Sequence, residues 1–283
     1  MKLKPLAARL LKAFSERESP GKKEYEQVLV QKGYMTTEEI VRLQSGSHAA
    51  STLCGKRIEI TDSFWHLHSL KEIFAEQVYH FESATENPYI LDCGANIGLS
   101  VIYFKRLYPK ARIIAFEPDA SIFQKMSRNL TAFRFNDVVM ANEAVWRDDG
   151  VLSFSAAGSL GGRVIGSNGA VHHDCGSMVS VKATSLGKYL GERVQFLKMD
   201  IEGAEVEVLD SCAPLLKNVE NLFVEYHSDP EKEQRLDHLL SILKGAGFRI
   251  YLKEAWNNLP LPFMRRRYKP CYDLQLNVFA YRT

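Results

Sequence analysis

The chain has no run of about 18 consecutive apolar residues, so no membrane-spanning helix is expected from it. It also lacks a charge imbalance. Its 36 Lys and Arg stand against 34 Asp and Glu, and a net charge of +2 gives no general attraction to nucleic acid. Its five cysteines (Cys54, Cys93, Cys175, Cys212, Cys271) are odd in number, scattered and without C-x-x-C spacing. That pattern suggests neither a disulfide framework nor a zinc site, and it fits a reducing cytoplasm. The basic opening MKLKPLAARLLKAF lacks an uninterrupted apolar stretch and is not read as a signal peptide.

What is present is ordinary for a globular protein. The 283 residues are 46% hydrophobic and 25% charged, enough for one large α/β domain with a small appendage. Residues 1–85 read as a mainly helical N-terminal extension. Leu3, Leu6, Leu10 and Phe14 recur at helical spacing, and further helices are expected over Lys22–Lys32, after Thr36-Thr37, and over Phe64–Phe81. From 86 to 283 short apolar runs alternate with helical patterns. Strands are expected over Tyr89–Cys93, Arg112–Phe116, Val138–Ala141 with Ala144–Trp146 continuing it, Gln195–Met199, Asn221–Tyr226 and Phe248–Leu252. Helices are expected over Leu99–Leu107, Ser121–Phe133, Ala204–Leu216 and Glu231–Ala246. This alternation predicts a doubly wound α/β fold around a parallel sheet. The last strand, Leu274–Tyr281, follows its partner without an intervening helix and should run antiparallel. Two more strands, Val151–Ser155 and Met178–Lys182, flank a Gly/Ser-rich stretch, Gly158–Gly169, long enough to serve as a lid.

Two segments carry the chemistry. The first is Ile90-Leu91-Asp92-Cys93-Gly94-Ala95-Asn96-Ile97-Gly98, a buried strand entering a glycine turn and then a helix. Glycines there permit conformations and close approaches that a Cβ blocks. Glu117 follows 19 residues after Gly98, in Phe116-Glu117-Pro118-Asp119, at the end of the next strand, where an acid can hold a ribose diol. The G-x-x-x-G spacing, with Asn96 inside it, is not the G-x-G-x-x-G of dinucleotide sites. Asp92 would repel a pyrophosphate but suits the ammonium of a methionine moiety. S-adenosylmethionine is therefore preferred over NAD; an NAD-dependent oxidoreductase or epimerase is the alternative.

The second segment is Lys198-Met199-Asp200-Ile201-Glu202-Gly203-Ala204-Glu205, where a strand gives way to a helix. The following strand ends in Val224-Glu225-Tyr226-His227. If these strands are neighbours, Asp200, Glu202 and His227 share one edge of the sheet with Asp92 and Glu117. They are the candidate catalytic residues, with Asp200 or His227 drawing the proton from an acceptor hydroxyl. Asp200, Glu225 and His227 equally form an O/N donor set for a divalent metal, which the sequence does not establish. Glu205 reads equally well as a helix-terminus acid. His172-His173-Asp174 reads as a solvated loop.

These segments resemble the FkbM family of methyltransferases over residues 88–282. The Asn142-Glu143-Ala144-Val145 stretch adds to the likeness. The resemblance implies a class I methyltransferase (Rossmann-like) fold with a seven-stranded sheet that binds S-adenosylmethionine. It implies O-methylation of a hydroxyl on a sugar, glycan or related secondary metabolite, as in polysaccharide biosynthesis. It places Asp92, Gly94, Ala95, Asn96, Gly98 and Asp200 around the methionine and ribose, Glu117 and Pro118 at the ribose, and Glu143 near the adenine. The expected partner is a small-molecule or glycan acceptor, with Trp65 and Trp256 available to stack on a sugar face. The basic face of residues 1–14 suits peripheral contact with an anionic membrane; packing on its own domain, or on a second copy in a homo-oligomer, is the preferred explanation.

Overall fold

A computed structural model describes residues 22–156, 163–165, 177–267 and 270–283. The expectations for residues 1–14, for most of Gly158–Gly169 and for His172–Asp174 lie outside the described residues. Helices α1 (Lys22–Gln31) and α2 (Thr37–Gln44) form as expected. Thr36 caps α2, its hydroxyl oxygen accepting from the Glu39 amide at 3.2 Å.

The next segment departs from a helical extension. Ala50–Leu53 (β1) and Lys56–Glu59 (β2) form an antiparallel hairpin. Its turn, Cys54-Gly55, has φ of 50° and 72°, the paired left-handed conformation that tight hairpins require. Four residues per strand are too few for alternation to stand out in the sequence. Helix α3 (Ser63–Leu70) is capped by Asp62, which accepts from the Trp65 amide at 3.0 Å. The helix expected to reach Phe81 instead ends in one π turn, Lys71–Ala75, and Gln77 at φ 57° takes the chain out of it. Tyr79 and Phe81 then turn into the interior. Leu29, Ile40, Leu53, Leu70 and Phe74 share one core with Ile90, Val101, Phe104, Ile113 and Leu130, so this segment is built onto one face of the sheet.

Strand β3 (Tyr89–Cys93) leads into α4 (Leu99–Leu107), β4 (Arg112–Phe116), α5 (Ala120–Ala132) and β5 (Val139–Ala141). Both expected segments, Val138–Ala141 and Ala144–Trp146, form strands, but in different sheets. After Asn142-Glu143 the chain leaves the main sheet, and Ala144–Trp146 (β6) joins Gly150–Ala156 (β7), Arg163–Ile165 (β8) and Ser177–Ser185 (β9) in a second, four-stranded sheet of order β6-β9-β7-β8. The main sheet resumes with β10 (Val194–Met199), α6 (Glu205–Ser211) and β11 (Val219–Ser228). The helix expected over Ala204–Leu216 breaks at Cys212 and continues as a 3₁₀ turn, because Pro214 has no amide to donate. Helix α7 (Leu236–Gly245), β12 (Arg249–Trp256) and β13 (Leu274–Tyr281) complete the fold.

The seven-stranded order is β12-β13-β11-β10-β3-β4-β5. β13 runs antiparallel to both its neighbours, and the other pairings are parallel. Chain order reverses between β3 and β10, so the crevice outside their carboxyl ends is the switch point where α/β sheets bind ligands. The two faces have separate cores. Ile90 and Phe196 belong to one, Leu91 and Leu197 to the other.

At that switch point Gly94 sits at φ 82°, and a Cβ on it would lie 1.8 Å from the Asp200 carbonyl oxygen. Backbone must touch backbone here for the β3 and β10 turns to meet. Gly94→Ala is expected to cost about 3 kcal/mol or more in urea unfolding; a loss below about 1 kcal/mol would contradict this packing.

Candidate active site

The β3–α4 turn is held by its own hydrogen bonds. Gly94 and Ala95 amides donate to the Phe116 carbonyl (3.0 and 2.9 Å), Gly98 to the Ala95 carbonyl, and Ile97 to the Asn96 side chain. The Asn96 amide donates to Glu117 Oε2 at 3.0 Å, with Asn96 at φ 49°. Glu117 Oε1 accepts from the Asp119 amide at 2.9 Å. Burial pushes the Glu117 carboxyl up to about 7, despite these amides. All five turn amides from Gly94 to Gly98 are thus spent within the protein. A pyrophosphate would need them free, which weighs against the dinucleotide alternative.

Lys198 stands at the centre. Its register partner in β3 is Asp92, and its ammonium lies 3.4 Å from Asp92 Oδ1 and 3.4 Å from Asp200 Oδ2 while donating to the Gly94 carbonyl at 2.7 Å. Lys198 is 3% exposed and Asp92 fully buried. Burial opposes the charge on Lys198, but Asp92, then Asp200 and Glu225, outweigh it and hold the pKa above its ordinary value. The Ser100 hydroxyl donates to the other oxygen of Asp92.

Asp200 opens the loop to α6, where Glu202 (φ 59°) and Gly203 (φ 97°) both take the left-handed region. Glu205 holds this loop: its Oε1 accepts from the Ile201 and Gly203 amides (3.2 and 3.0 Å) and lies 3.1 Å from His227 Nδ1. His227 Nε2 faces Glu225 at 3.5 Å and Glu202 at 3.7 Å. Burial disfavours the imidazolium, yet Glu202 and Glu205 raise the His227 pKa well above its ordinary value. Tyr272 donates to Glu202 Oε2 at 3.0 Å, its ring 4.7 Å from that of His227. Ligand atoms of Asp200, Glu202 and His227 all lie within 4.8 Å of one another. This O/O/N donor set fits a divalent cation, and the Glu205 contact would orient the imidazole for it. The set expected from sequence had Glu225 where Glu202 falls; the left-handed turn brings Glu202 back over His227.

A cavity of about 560 Å³ joins these parts, a size usual for small-ligand sites. Gly94, Ala95, Asn96, Glu117, Pro118, Glu143, Asp200 and Glu202 line it. Three expected site residues stand behind the wall. Asp92 is spent on Ser100 and Lys198, and Ser100 lines the cavity in its place. Gly98 faces α5, where its absent Cβ leaves room for Met126. His227 is 6% exposed and reaches the cavity through Glu202. Trp65 and Trp256 line the cavity with ring centroids 5.3 Å apart, joined by His68 at 5.8 and 5.1 Å. Lys198, His66 and Tyr272, which also line it, were not singled out from sequence. Lys198 had a signal: a lysine inside an apolar strand, two residues before an acid.

A sheet of order β12-β13-β11-β10-β3-β4-β5 with one antiparallel strand, carrying a glycine turn and a following acid at its switch point, is the class I methyltransferase fold. Residues 92–250, more than half the chain, match the methyltransferase FkbM domain, and the chain belongs to that family. A methyltransferase of the fungus Sordaria araneosa, sdnD, is 33% identical over 173 residues, 49% of this chain and 66% of the relative. The hexuronic acid methyltransferase AglP of Haloferax volcanii is 27% identical over 161 residues, 55% of this chain and 63% of the relative. The chain thus spans just under two thirds of these relatives. A crystal structure of methyltransferase FkbM from Methylobacillus flagellatus superposes with TM-score 0.47 at 16% identity, covering 74% of this chain and 46% of that one.

Removing the buried cation would leave Asp92 uncompensated. Lys198→Met is expected to destabilise the protein by about 3–5 kcal/mol in chemical denaturation, and a near-neutral effect would show that Lys198 does not hold the two turns together.

Proposed function

We propose that the protein transfers a methyl group from S-adenosylmethionine to a hydroxyl of a sugar or a similarly hydroxylated metabolite. The observation that carries this is one continuous cavity lined both by Asn96 and Glu117 and by Asp200, Glu202, Trp65 and Trp256. Glu117 accepts the ribose hydroxyls. Ile97, Phe116, Ile122 and Val145 offer apolar surface for the adenine, and the surrounding carboxylates favour the donor's sulfonium. Methyl transfer is an in-line displacement, so most of the catalysis lies in orienting the two reactants.

At the acceptor end the indoles present flat apolar surface for a sugar face, with Asn258 and Gln275 (2.7 Å apart) at its edge. Asp200 or Glu202 takes the hydroxyl proton, with His227 behind them. Glu72, Asp200, Glu202 and Glu225 all line the cavity, which disfavours an anionic acceptor. A neutral sugar therefore fits better than a free hexuronate. The donor set of Asp200, Glu202 and His227 supports a second reading, in which a divalent cation there orients and acidifies the hydroxyl.

Asp200→Asn and Glu202→Gln are expected to lower kcat about 100-fold or more on an accepted neutral glycoside while leaving S-adenosylhomocysteine affinity within a few-fold. Loss of donor binding in both would move them out of the acceptor end. If the cation reading holds, chelation abolishes turnover and Mg²⁺ or Mn²⁺ restores it; unchanged turnover after chelation excludes it. At the donor end, ribose hydroxyls donate to an ionised Glu117 better than to a protonated one. S-adenosylhomocysteine should therefore bind several-fold more weakly at about pH 6 than at about pH 8, and Glu117→Gln should bind weakly with that dependence removed. A flat pH profile in the wild type, or undiminished binding by the variant, would contradict the ribose contact.

A further inference from the structure

His66, in the middle of α3, lines the cavity and takes no part in the chemistry described so far. It is 3% exposed, yet among the described residues neither Nδ1 nor Nε2 has a hydrogen-bond partner. Burial lowers its pKa to about 4, so the ring is neutral and offers one N–H donor and one acceptor. Leaving such groups unpaired is unfavourable, and a bound ligand would relieve it.

The charges around the cavity say which ligand group suits it. Seven carboxyl side chains line the cavity, from Glu72 to Glu225, and Lys198 is the one Lys or Arg among the described lining residues. Lys198 is already surrounded by Asp92, Asp200 and the Gly94 carbonyl. His68 lies 3.3 Å from Glu72. S-adenosylmethionine brings a sulfonium and an ammonium, which this lining favours, and one carboxylate, which it repels. The carboxylate needs neutral N–H donors. His66 is one, and the first turn of α4 is another. Its N-cap is Gly98, without a capping side chain, and Leu99 and Ser100 line the cavity. His66, Ser69 and Ile73 line the cavity from one side of their helix, and the π turn that holds Ile73 packs on α4.

We propose that His66, together with the uncapped first turn of α4, receives the carboxylate of the methionine moiety. The inference rests on the donor reading above and assigns His66 as a positioning residue for the donor. Hydrogen bonds to a charged group contribute about 1.5–3 kcal/mol, which corresponds to roughly 10- to 150-fold in affinity.

The test is calorimetry of the full chain with S-adenosylhomocysteine and with its decarboxylated counterpart. The wild type should prefer the first by at least about tenfold. His66→Leu should lose most of that preference by weakening S-adenosylhomocysteine alone, and His66→Gln, which keeps an N–H donor, should retain part of it. His66→Leu should also leave the ligand-free protein as stable as the wild type or more so, because an unpaired buried polar group has been removed. A carboxylate preference unchanged in His66→Leu, or a variant that weakens both ligands equally, overturns the assignment while leaving the donor reading intact. A wild type that binds neither ligand overturns the donor reading and this inference with it.

Discussion

The site is organised around one buried ammonium. Lys198 sits between Asp92 at the end of β3 and Asp200 beyond the end of β10, and it also holds the Gly94 carbonyl. This contact locks two turns to one another: the glycine turn after β3 and the acidic loop after β10. The close approach of Gly94 to the Asp200 backbone is the steric side of the same arrangement. With the charge at the centre satisfied from three directions, the acids can face the cavity without their repulsion forcing the strand ends apart.

Much of this is legible in the sequence. The strands Tyr89–Cys93, Arg112–Phe116 and Leu274–Tyr281 and the helix Leu99–Leu107 fall where their apolar patterns placed them. Buried strands have few alternatives once glycines and acids punctuate their ends. The glycine turn and Glu117 meet at one cavity because both lie at carboxyl ends of adjacent parallel strands, a relation that topology enforces. The parts that were not legible depend on conformations with weak signatures. The Cys54-Gly55 hairpin has strands too short to show a period. The π turn after Leu70 and the exit at Gln77 lie inside a continuous helical pattern. Residue spacing did not show that Glu202, at φ 59°, would displace Glu225 from the candidate donor set with Asp200 and His227. Nor did it show that Asp92 would turn inward, because its partner Lys198 is more than a hundred residues away.

The acidic cluster around His227 divides its labour by depth. Glu205, 1% exposed, ties down the loop amides and the imidazole. Glu202 and Asp200 line the cavity. Tyr272, from the connection before β13, donates to Glu202 and lies beside the imidazole ring. A histidine held by one carboxylate and facing two others has its orientation set from behind, leaving Asp200 and Glu202 to face the cavity.

The Trp65–His68–Trp256 cluster and Tyr272, which also lines the cavity, have a consequence for how the molecule can vary. All four lie outside residues 92–250, the span shared with the family. The glycine turn, Glu117, Lys198 and the acidic loop all lie within it. On the proposed reading, recognition of the recipient molecule is assembled from the flanks of the chain, while the transfer apparatus occupies the common centre. That reading lets α3, the end of β12 and the β12–β13 connection drift and retune which molecule is chosen without disturbing the machinery that modifies it.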